Sequence, residues 1–314
     1  MVSNKEKNFI SAVIYVNNNE KEIHGFLDDI YNTLEKVFNK FEIVIVNDYS
    51  TDNTVQIVKD FASNKKSAVI SIVNMSFYQG LEAAMNAGVN LAIGDFVYEF
   101  DNVHKDYDDK VVLDIYYKSL KGFDIVSASP KNYNRKSSKL FYKVFNKVAN
   151  MSYELNTESF RILSRRGINR VQSMSKTIPY RKALYSNCGL KLYNIIYDNN
   201  KSYKIEKSKA VNENRKEVAS DSLILFTDLA YKVSSGMTIL MMLVAIITGL
   251  YVVFTFLGST TPIEGWTTTM LFLSVSFFAV FAIMAVIIKY LSLIVNLIFK
   301  KQQYIIESIE KITQ

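Results

Sequence analysis

The sequence predicts an α/β domain with a mostly parallel sheet, followed by a hairpin of two membrane-spanning helices. The first observation is that short β-branched runs alternate with stretches of helical periodicity over the first 130 residues. The second is that ranges 233–263 and 265–288 contain no charged residue. We therefore expect a membrane protein with a large N-terminal domain rather than a purely soluble protein.

The predicted elements of the domain follow one another in a regular order. Short runs of β-branched and aromatic residues predict strands at 11–16, 42–46, 67–73 and 95–100. Apolar residues that recur at helical spacing predict helices at 22–38, 54–62 and 80–93. Because the strands of such a sheet run parallel, their carboxyl ends meet at one edge, where open α/β sheets bind ligands.

Charge and cysteine content limit the classes of partner. The net charge is +7, but Lys and Arg are spread along the chain and also flank the apolar segments. This distribution favours a membrane surface over nucleic acid as the partner. The single cysteine, Cys188, excludes an internal disulfide and fits a reducing compartment, and the presence of only two histidines argues against a zinc site.

The apolar segments predict two membrane spans, at about 237–257 and 267–288. Each is long enough, at 1.5 Å per residue, to cross a hydrocarbon core of ~30 Å. The connection between them carries one charged residue, the acidic Glu264. The outer flanks are basic, with Lys232, Lys289, Lys300 and Lys301. The positive-inside rule then places both termini and the domain on the cytoplasmic side of a multi-pass cytoplasmic-membrane protein.

Amphipathic segments flank the predicted hairpin, which occupies 236–299. Residues 216–235 show apolar positions at helical spacing beside charged ones, which predicts an interfacial helix. Residues 300–314 form a cytoplasmic tail whose isoleucines also recur at helical spacing. For both segments, packing of a helix against the protein's own domain is an equally good interpretation.

Polar residues follow the predicted strands at the expected ligand-binding edge. Asp48 and Asp101 each come directly after a buried strand, and for both we favour a ligand role over a turn role. Carboxylates at strand ends can hold a divalent cation that bridges a diphosphate, or accept hydrogen bonds from a base or ribose. Asp52, which lies just before a predicted helix, is better interpreted as an N-cap residue.

Five segments in order resemble inverting family 2 glycosyltransferases, whose nucleotide-sugar domain has the Rossmann-like GT-A fold. VNDYSTDNT at 46–54 resembles the family's VDDGSTDGT segment. The other four are SAVIYVNNNE at 11–20, GLEAAMNAG at 80–88, GDFVYEFDN at 94–102 and SFRILSRR at 159–166. The resemblance implies a GT-A domain at 1–215.

The C-terminal region resembles one branch of that family. GW at 265–266, KYL at 289–291 and KKQQYII at 300–306 are similar to features of polyprenyl-phosphate glycosyltransferases, the bactoprenol and dolichol-phosphate relatives with a two-span tail. The resemblance implies transfer of a sugar from a nucleotide sugar to a membrane polyprenyl phosphate, for envelope polysaccharide or glycan modification. It also implies the lipid bilayer as a partner and a tendency to form homo-oligomers.

The resemblance assigns residues to the donor, the metal and the acceptor. The nucleotide-sugar side comprises Tyr15, Glu20, Asn47, Asp48 and Asn102. A divalent cation, Mg²⁺ or Mn²⁺, would be held by Asp101, with Asp106 and His104 as weaker ligands. Glu158, Ser159 and Arg161 would lie beside the acceptor phosphate. Arg135, Arg161, Arg165 and Arg166 would clamp a phosphate, or form a solvated basic surface facing the membrane.

The sequence departs from the family pattern at the crevice. The D-x-D metal motif reads Asp101-Asn102-Val103, and Ser159 stands where the family has an acceptor-site Asp. A phosphate acceptor is already anionic and needs no strong base. Two alternatives stay open: a non-catalytic, membrane-anchored binding protein that keeps the fold, or a transferase to a lipid-linked sugar or a protein with Glu158 as the base.

Overall fold

The structure is a computed structural model that divides into two compact units. Met1–Ser222 and Gln302–Gln314 form the first unit, and Leu223–Lys301 forms the second. The structure describes residues 5–131, 141–143, 145–147, 155–174, 180–199, 218–222, 232–233, 236–237, 239–241, 243–244, 247, 265–299 and 304–312.

The first unit contains a mixed sheet with eight strands among the described residues. The strands are β1 (Ile10–Val16), β2 (Phe41–Asn47), β3 (Val69–Met75), β4 (Phe96–Phe100), β5 (Ile125–Pro130), β6 (Phe160–Ser164), β7 (Leu192–Tyr197) and β8 (Ile306–Ile312). The helices of this unit are α1 (Ile23–Val37), α2 (Thr54–Ser63), α3 (Leu81–Leu91), α4 (Asp109–Ser119), α5 (Arg165–Met174) and α6 (Arg181–Ser186).

The strand order is β7-β5-β6-β4-β1-β2-β3-β8. The central strands β4, β1, β2 and β3 are parallel, with Val13 opposite Val44 in β2 and Glu99 in β4. β6 runs antiparallel to both β4 and β5, and β8 runs antiparallel to β3. The carboxyl ends of β1, β2, β3 and β4 therefore lie along one edge, as the sequence predicts.

The apolar runs of the central strands are buried because helices cover the sheet. Every residue of β2 is buried, and α1 buries an apolar stripe that includes Phe26, Leu27 and Ile30. α3 approaches the sheet closely at Gly88, where a Cβ atom would lie 2.5 Å from side-chain carbons of Val13 and Val46. This close packing fixes the C-terminal half of α3 relative to β1 and β2.

The elements predicted for the first 100 residues are confirmed. The four strands and three helices of the sequence analysis correspond to β1 to β4 and α1 to α3, with ends shifted by at most two residues. The wide apolar faces of these elements and the polar residues between them are strong local signals.

The prediction that the C-terminal tail is an amphipathic helix was wrong. Ile306–Ile312 forms strand β8 on the edge of the sheet, paired with β3 and within the first unit. The segment is short and rich in β-branched isoleucine, and the β3 edge offers unpaired backbone groups that a helix would leave unsatisfied. Its side chains alternate between partly buried and exposed, with Ile306 and Ile312 on the covered face and Ile309 exposed.

The second unit contains helix α7 (Gly265–Phe299), which is 35 residues long. Several of its described apolar side chains are exposed, among them Phe277, Phe278, Phe281, Ile287 and Leu291. Within the described residues, no helix is both long enough and apolar enough to cross a membrane. The predicted interfacial helix at 216–235 and the predicted first span at 237–257 lie largely outside the described residues. Of the predicted connection between the two spans, residues 258–264 lie outside them, and residues 265–266 begin α7.

Candidate active site

The loops that follow β1 and β2 are tied together at the carboxyl edge of the sheet. Asn17 Nδ2 donates to the main-chain oxygen of Asp48 over 2.7 Å, and Asn18 Oδ1 accepts from the Thr51 amide over 2.8 Å. The Asn19 amide donates to Thr54 Oγ1 over 2.8 Å. Because each loop supplies partners for the other, the two loops hold each other in place along this edge of the sheet, which we call the crevice.

Two residues of these loops adopt left-handed backbone conformations. Asn18 has a φ of 53° and Tyr49 a φ of 60°. Asn tolerates this region, whereas a tyrosine there is strained. Tyr49 stands at the Gly of the segment to which 46–54 is similar, and its side chain is 52% exposed. The backbone turn therefore forms with a tyrosine at this position, and the tyrosine ring is exposed at the crevice.

Asp48 lies at the base of the crevice and organises its surroundings. Its carboxylate accepts hydrogen bonds from the amides of Gln79 (2.8 Å) and Gly80 (2.9 Å) and from the hydroxyl of Tyr15 (3.0 Å). Burial raises the pKa of Asp48 above its ordinary value, and these donors offset only part of the increase. Direct contact between Asp48 and a nucleoside stays a prediction, because here its oxygens bind the protein's own donors.

The other predicted donor-side residues lie on the same edge or next to it. Glu20 accepts from the Asn53 amide, and its own amide donates to Asp52. Asn47, the last residue of β2, accepts from the Ser50 amide over 3.0 Å.

Asn102 follows β4 and accepts from the His104 amide over 2.9 Å. The structure therefore brings Tyr15, Glu20, Asn47 and Asp48 together around the first two loops, with Asn102 after the neighbouring strand β4.

The N-cap residue of α2 is Asn53 rather than the predicted Asp52, which lies one residue earlier and binds the first residue of the helix. The Asp52 carboxylate accepts from both the amide and the hydroxyl of Thr54, over 3.0 and 2.5 Å. Burial acts to raise the pKa of Asp52, but the hydrogen bonds from Thr54 outweigh it, so the pKa is lowered. Asp52 therefore joins the start of α2 to the β1–α1 loop, where it accepts from the Glu20 amide.

A buried cluster of charged side chains follows β4. Arg161 Nη1 donates to Glu99 Oε2 over 2.6 Å, and Arg161 Nη2 donates to Asp101 Oδ2 over 2.8 Å. Arg181 makes a matching pair of contacts, to Glu99 Oε2 over 2.7 Å and to Asp101 Oδ1 over 2.8 Å. Two carboxylates and two guanidinium groups therefore form a closed ring of charge-assisted hydrogen bonds.

Further polar side chains complete the cluster. Tyr185 donates to the second oxygen of Glu99 over 2.6 Å, and Glu82 accepts from both the amide and Nε of Arg181. Burial acts to raise the pKa of Asp101, but Arg161 and Arg181 hold it well below its usual range. Asp101 is therefore ionised at neutral pH, and its charge is already balanced by the protein.

The described residues do not fit the divalent cation that the resemblance implies. Both oxygens of Asp101 accept guanidinium hydrogen bonds, and the Asp106 carboxylate accepts from Tyr197. Within the described residues there is no group of three or more His, Cys, Asp or Glu side chains arranged to hold a metal ion. The pairing of Asp101 with Asp106 or His104 as metal ligands is therefore not formed. The missing second carboxylate, replaced by the buried Val103, is the physical reason.

The predicted acceptor-side residues lie next to this cluster. Glu158 Oε2 accepts from Arg161 Nε over 3.1 Å and lies 4.0 Å from Lys182 Nζ. These three residues line a small cavity together with Tyr185. Arg161 is itself fully buried, so it acts on the site through its carboxylate partners rather than as an exposed clamp.

Ser159 belongs to a separate chain of hydroxyl groups. The Tyr197 hydroxyl donates to Asp106 over 2.7 Å and lies 2.6 Å from Ser159 Oγ, which leaves the serine as the donor to the tyrosine oxygen. Burial, with the nearby Asp106 charge, raises the pKa of Tyr197 above its ordinary value. Ser159 and Asp106 are thus brought together through a tyrosine, in an arrangement that gives the serine no base.

Two of the predicted phosphate-binding arginines have structural partners instead. Arg165 donates to the main-chain oxygens of Ala92 and Gly94. Arg166 pairs with the buried Asp124 over 2.6 Å while its own side chain is 69% exposed. Neither an unpaired phosphate clamp nor a purely solvated surface describes these two residues. Arg135 lies outside the described residues.

The sequence analysis missed Glu99, Arg181 and Tyr197. Glu99 carried a detectable signal, because a carboxylate within the otherwise apolar strand β4 must find a cation if the strand is buried. Arg161 is likewise a charged residue within a buried strand, β6, and it lies directly opposite Glu99. Arg181 and Tyr197 lie further along the chain, and no local pattern connects them to the site.

Comparison with known proteins identifies the family. The model for "Glycosyl transferase family 2" matches residues 11–181, more than half of the chain. The chain belongs to glycosyl transferase family 2. The matched region contains β1 to β4, the loops that border the crevice and all four charged residues of the ring. The resemblance stated from the sequence motifs is confirmed.

Individual relatives are similar at low identity. An uncharacterized glycosyltransferase of Synechocystis is 27% identical over 196 residues, covering 60% of each chain. A prophage bactoprenol glucosyl transferase homolog of Escherichia coli is 30% identical over 188 residues, covering 57% of this chain and 60% of its own length. Each match therefore spans less than two thirds of the relative.

Solved structures are similar at lower identity. Mannosyl-3-phosphoglycerate synthase from Rubrobacter xylanophilus aligns with 69% of this chain and 74% of its own, at a TM-score of 0.48 and 14% identity.

Proposed function

We propose that this family 2 member is an inverting glycosyltransferase that moves a sugar from a nucleotide sugar to a membrane polyprenyl phosphate. The observation that carries the proposal is the family match over residues 11–181, which includes every strand that borders the crevice. Envelope polysaccharide or glycan modification is the process that such a product serves.

The donor is assigned to the crevice at the carboxyl ends of β1, β2 and β4. The two tied loops carry the exposed polar residues Asn18, Thr51 and Asn53, and Tyr49 offers an exposed ring. Loops that are held in place before binding lose little conformational entropy when a nucleotide is bound. The region therefore suits a ligand that combines a planar base with polar groups, such as a nucleoside diphosphate sugar.

The acceptor is supported by the names of the relatives and by the chemistry of the site. Relatives at 29 to 30% identity are named bactoprenol glucosyl transferases. A polyprenyl phosphate is anionic at neutral pH and attacks without a strong base. Glu158 binds a guanidinium group and Ser159 binds a tyrosine, so neither is arranged as a free base. A phosphate acceptor suits this site better than a hydroxyl of a lipid-linked sugar or a protein.

We also propose that the C-terminal region holds the enzyme at a bilayer, with the domain on the cytoplasmic side. The uncharged ranges 233–263 and 265–288 and their basic flanks support a two-helix hairpin. The exposed apolar side chains of α7 are a surface that lipid would cover. A lipid phosphate lies at headgroup level, so an enzyme that uses it must keep its crevice there. Homo-oligomer formation stays a prediction of the resemblance.

A transfer assay tests the proposal. Membranes that contain the full chain are given radiolabelled UDP-, GDP- and dTDP-sugars with undecaprenyl phosphate, in Mg²⁺, in Mn²⁺ and in chelator. We expect a lipid-linked product from one donor. Loss of product in chelator would show that a cation is recruited despite the occupied Asp101, and persistence would show transfer without one. No product from any donor, while a known relative is active in the same membranes, would contradict the proposal.

A second candidate is a nucleotide-binding homologue that does not transfer sugar. The observation that favours it is the closed ring around Asp101, in which both carboxylate oxygens are already bound. Calorimetric titration of the purified chain with the same donors separates the two candidates. Binding without any product supports the second candidate, whereas binding with product supports the first.

A further inference from the structure

The C-terminal strand is joined to the loop between β3 and α3 by one glutamine. Gln79 Nε2 donates to the main-chain oxygen of Ile305 over 2.7 Å, and the Ile305 amide donates to Gln79 Oε1 over 2.9 Å. The Ser76 amide also donates to Ile305, over 3.2 Å. The side-chain amide of Gln79 therefore continues the β3–β8 pairing beyond the end of the strands.

The same glutamine reaches the base of the crevice through its main chain. Its amide donates to Asp48 Oδ1 over 2.8 Å, and the next amide, that of Gly80, donates to Oδ2 over 2.9 Å. Gly80 has a φ of 86°, a conformation that glycine adopts without strain. One residue thus joins a strand more than 220 residues away to the carboxylate that organises the crevice.

A second, independent connection runs through two asparagines. Asn74 Nδ2 donates to Ser308 Oγ over 3.0 Å and to Glu310 Oε1 over 2.9 Å, and Asn74 Oδ1 accepts from Asn47 Nδ2 over 2.9 Å. Asn47 in turn accepts from the Ser50 amide. β8 is therefore connected to the β2–α2 loop as well as to the loop at 76–80.

We propose that Gln79 is a positioning residue for the nucleotide donor, through which β8 holds the 76–80 loop against Asp48. The inference rests on the proposed function, because it assigns the donor to this crevice. Without β8 the loop loses the hydrogen bonds of Ser76 and Gln79 to Ile305. A surface loop with fewer contacts has a lower free-energy cost of local opening. Part of the donor's binding free energy is then spent on ordering the 76–80 loop, and the donor binds more weakly.

The kinetic test compares Gln79→Ala with the wild-type full chain, using the donor that supports transfer. We expect the donor KM to rise by roughly five- to tenfold, the size of one or two lost hydrogen bonds, with kcat little changed. Gln79→Glu keeps an acceptor for the Ile305 amide and should give an intermediate KM. Tyr304→Phe is the matched control, because it removes the 2.8 Å contact of Asn90 with the same C-terminal segment without touching the loop. It should keep the wild-type KM.

The second readout is hydrogen exchange, since coupling between two sites is reciprocal. Bound nucleotide should slow amide exchange at 304–312 in the wild type and in Tyr304→Phe. It should slow exchange clearly less in Gln79→Ala, where only the connection through Asn74 remains. A merely structural role would change exchange at this segment equally with and without nucleotide. If Gln79→Ala does not fold, Gln79→Glu carries both measurements.

The outcomes separate the inference from the proposed function. If the wild type neither binds any donor nor transfers sugar from one, the proposed function fails, and the inference fails with it. If the wild type is active and Gln79→Ala keeps its KM and its nucleotide-dependent protection at 304–312, only the positioning role is overturned. An equal rise in KM for Tyr304→Phe would also overturn it, because a general loosening of the C-terminal segment would then be the cause.

Discussion

Glu99 and Arg161 lie directly opposite each other in the antiparallel register of β4 and β6, and their side chains form an ion pair of 2.6 Å in the interior. Arg181 approaches the same Glu99 oxygen over 2.7 Å. A buried carboxylate with two guanidinium partners is costly to form and more costly to leave half paired. The cluster therefore makes the folding of the domain depend on residues far apart in sequence.

Replacing one arginine of the cluster should destabilise the protein strongly. We expect Arg181→Met to lower the free energy of unfolding by about 3–5 kcal/mol, because Glu99 and Asp101 are left with an uncompensated buried charge. Thermal unfolding followed by circular dichroism measures the change. Lys131→Met is the control, since its pair with Asp198 is exposed and should contribute little. Equal melting temperatures for the two variants would contradict the expectation.

Acid should weaken the contact between Asp124 and the segment that begins α5. Burial acts to raise the pKa of Asp124, but hydrogen bonds from Arg166 and Ser164 lower it below its ordinary value. A carboxyl whose pKa is lower in the folded state contributes stability at neutral pH that is lost as pH falls below about 4.

Melting temperatures measured between about pH 3 and pH 7 check this contribution. We expect Asp124→Asn to melt lower than the wild type at neutral pH, and the difference to shrink on acidification. A difference that stays constant over the whole range would show that the Asp124 charge is not responsible.

The close approach of α3 to the sheet makes Gly88 sensitive to any side chain. A Cβ atom there would lie 2.5 Å from carbons of both Val13 and Val46, within the packed core. We expect Gly88→Ala to cost about 1–3 kcal/mol of unfolding free energy through overpacking. Gly25→Ala in α1 is the matched control, because no atom lies within 4 Å of the added carbon, and it should not destabilise. Chemical denaturation of both variants measures the difference.

The left-handed backbone at Tyr49 predicts an unusual order of substitution effects. A residue held there costs about 1–2 kcal/mol, and a β-branched side chain tolerates it worst. Tyr49→Gly should therefore be as stable as the wild type to within about 1 kcal/mol, since its gain in the folded state offsets the greater freedom of the unfolded chain. Tyr49→Val should melt at a clearly lower temperature. A valine variant as stable as the glycine variant would show that the backbone is not constrained.

The central sheet and its helices could be predicted because their signals are local. β1 to β4 and α1 to α3 are each encoded by a continuous apolar pattern, and the loops between them carry the polar residues that border the crevice. The contact of Asp52 with Thr54 is equally local, although the N-cap itself is Asn53, one residue later than predicted. Such features need no knowledge of distant parts of the chain.

The remaining features depend on contacts between distant residues. The isoleucines at 305–312 fit a helix and a strand almost equally, and only the unpaired edge of β3 decides between them. The partners of Asp101 lie 60 and 80 residues away, so its expected use as a metal ligand could not be weighed against pairing with arginine. The hydroxyl chain from Ser159 through Tyr197 to Asp106 has no sequence signal that we recognise.

Hydrogen exchange of the full chain, measured with and without nucleotide, shows whether the nucleotide binds at the crevice around Asp48. Purified protein is saturated with each of UDP, GDP and dTDP in turn, and amide exchange is followed by mass spectrometry. We expect one nucleotide to slow exchange in the loops at 17–20, 48–53 and 76–80, which surround Asp48. Protection confined to other parts of the chain, or absent with every nucleotide, would contradict the assignment of the donor to this crevice.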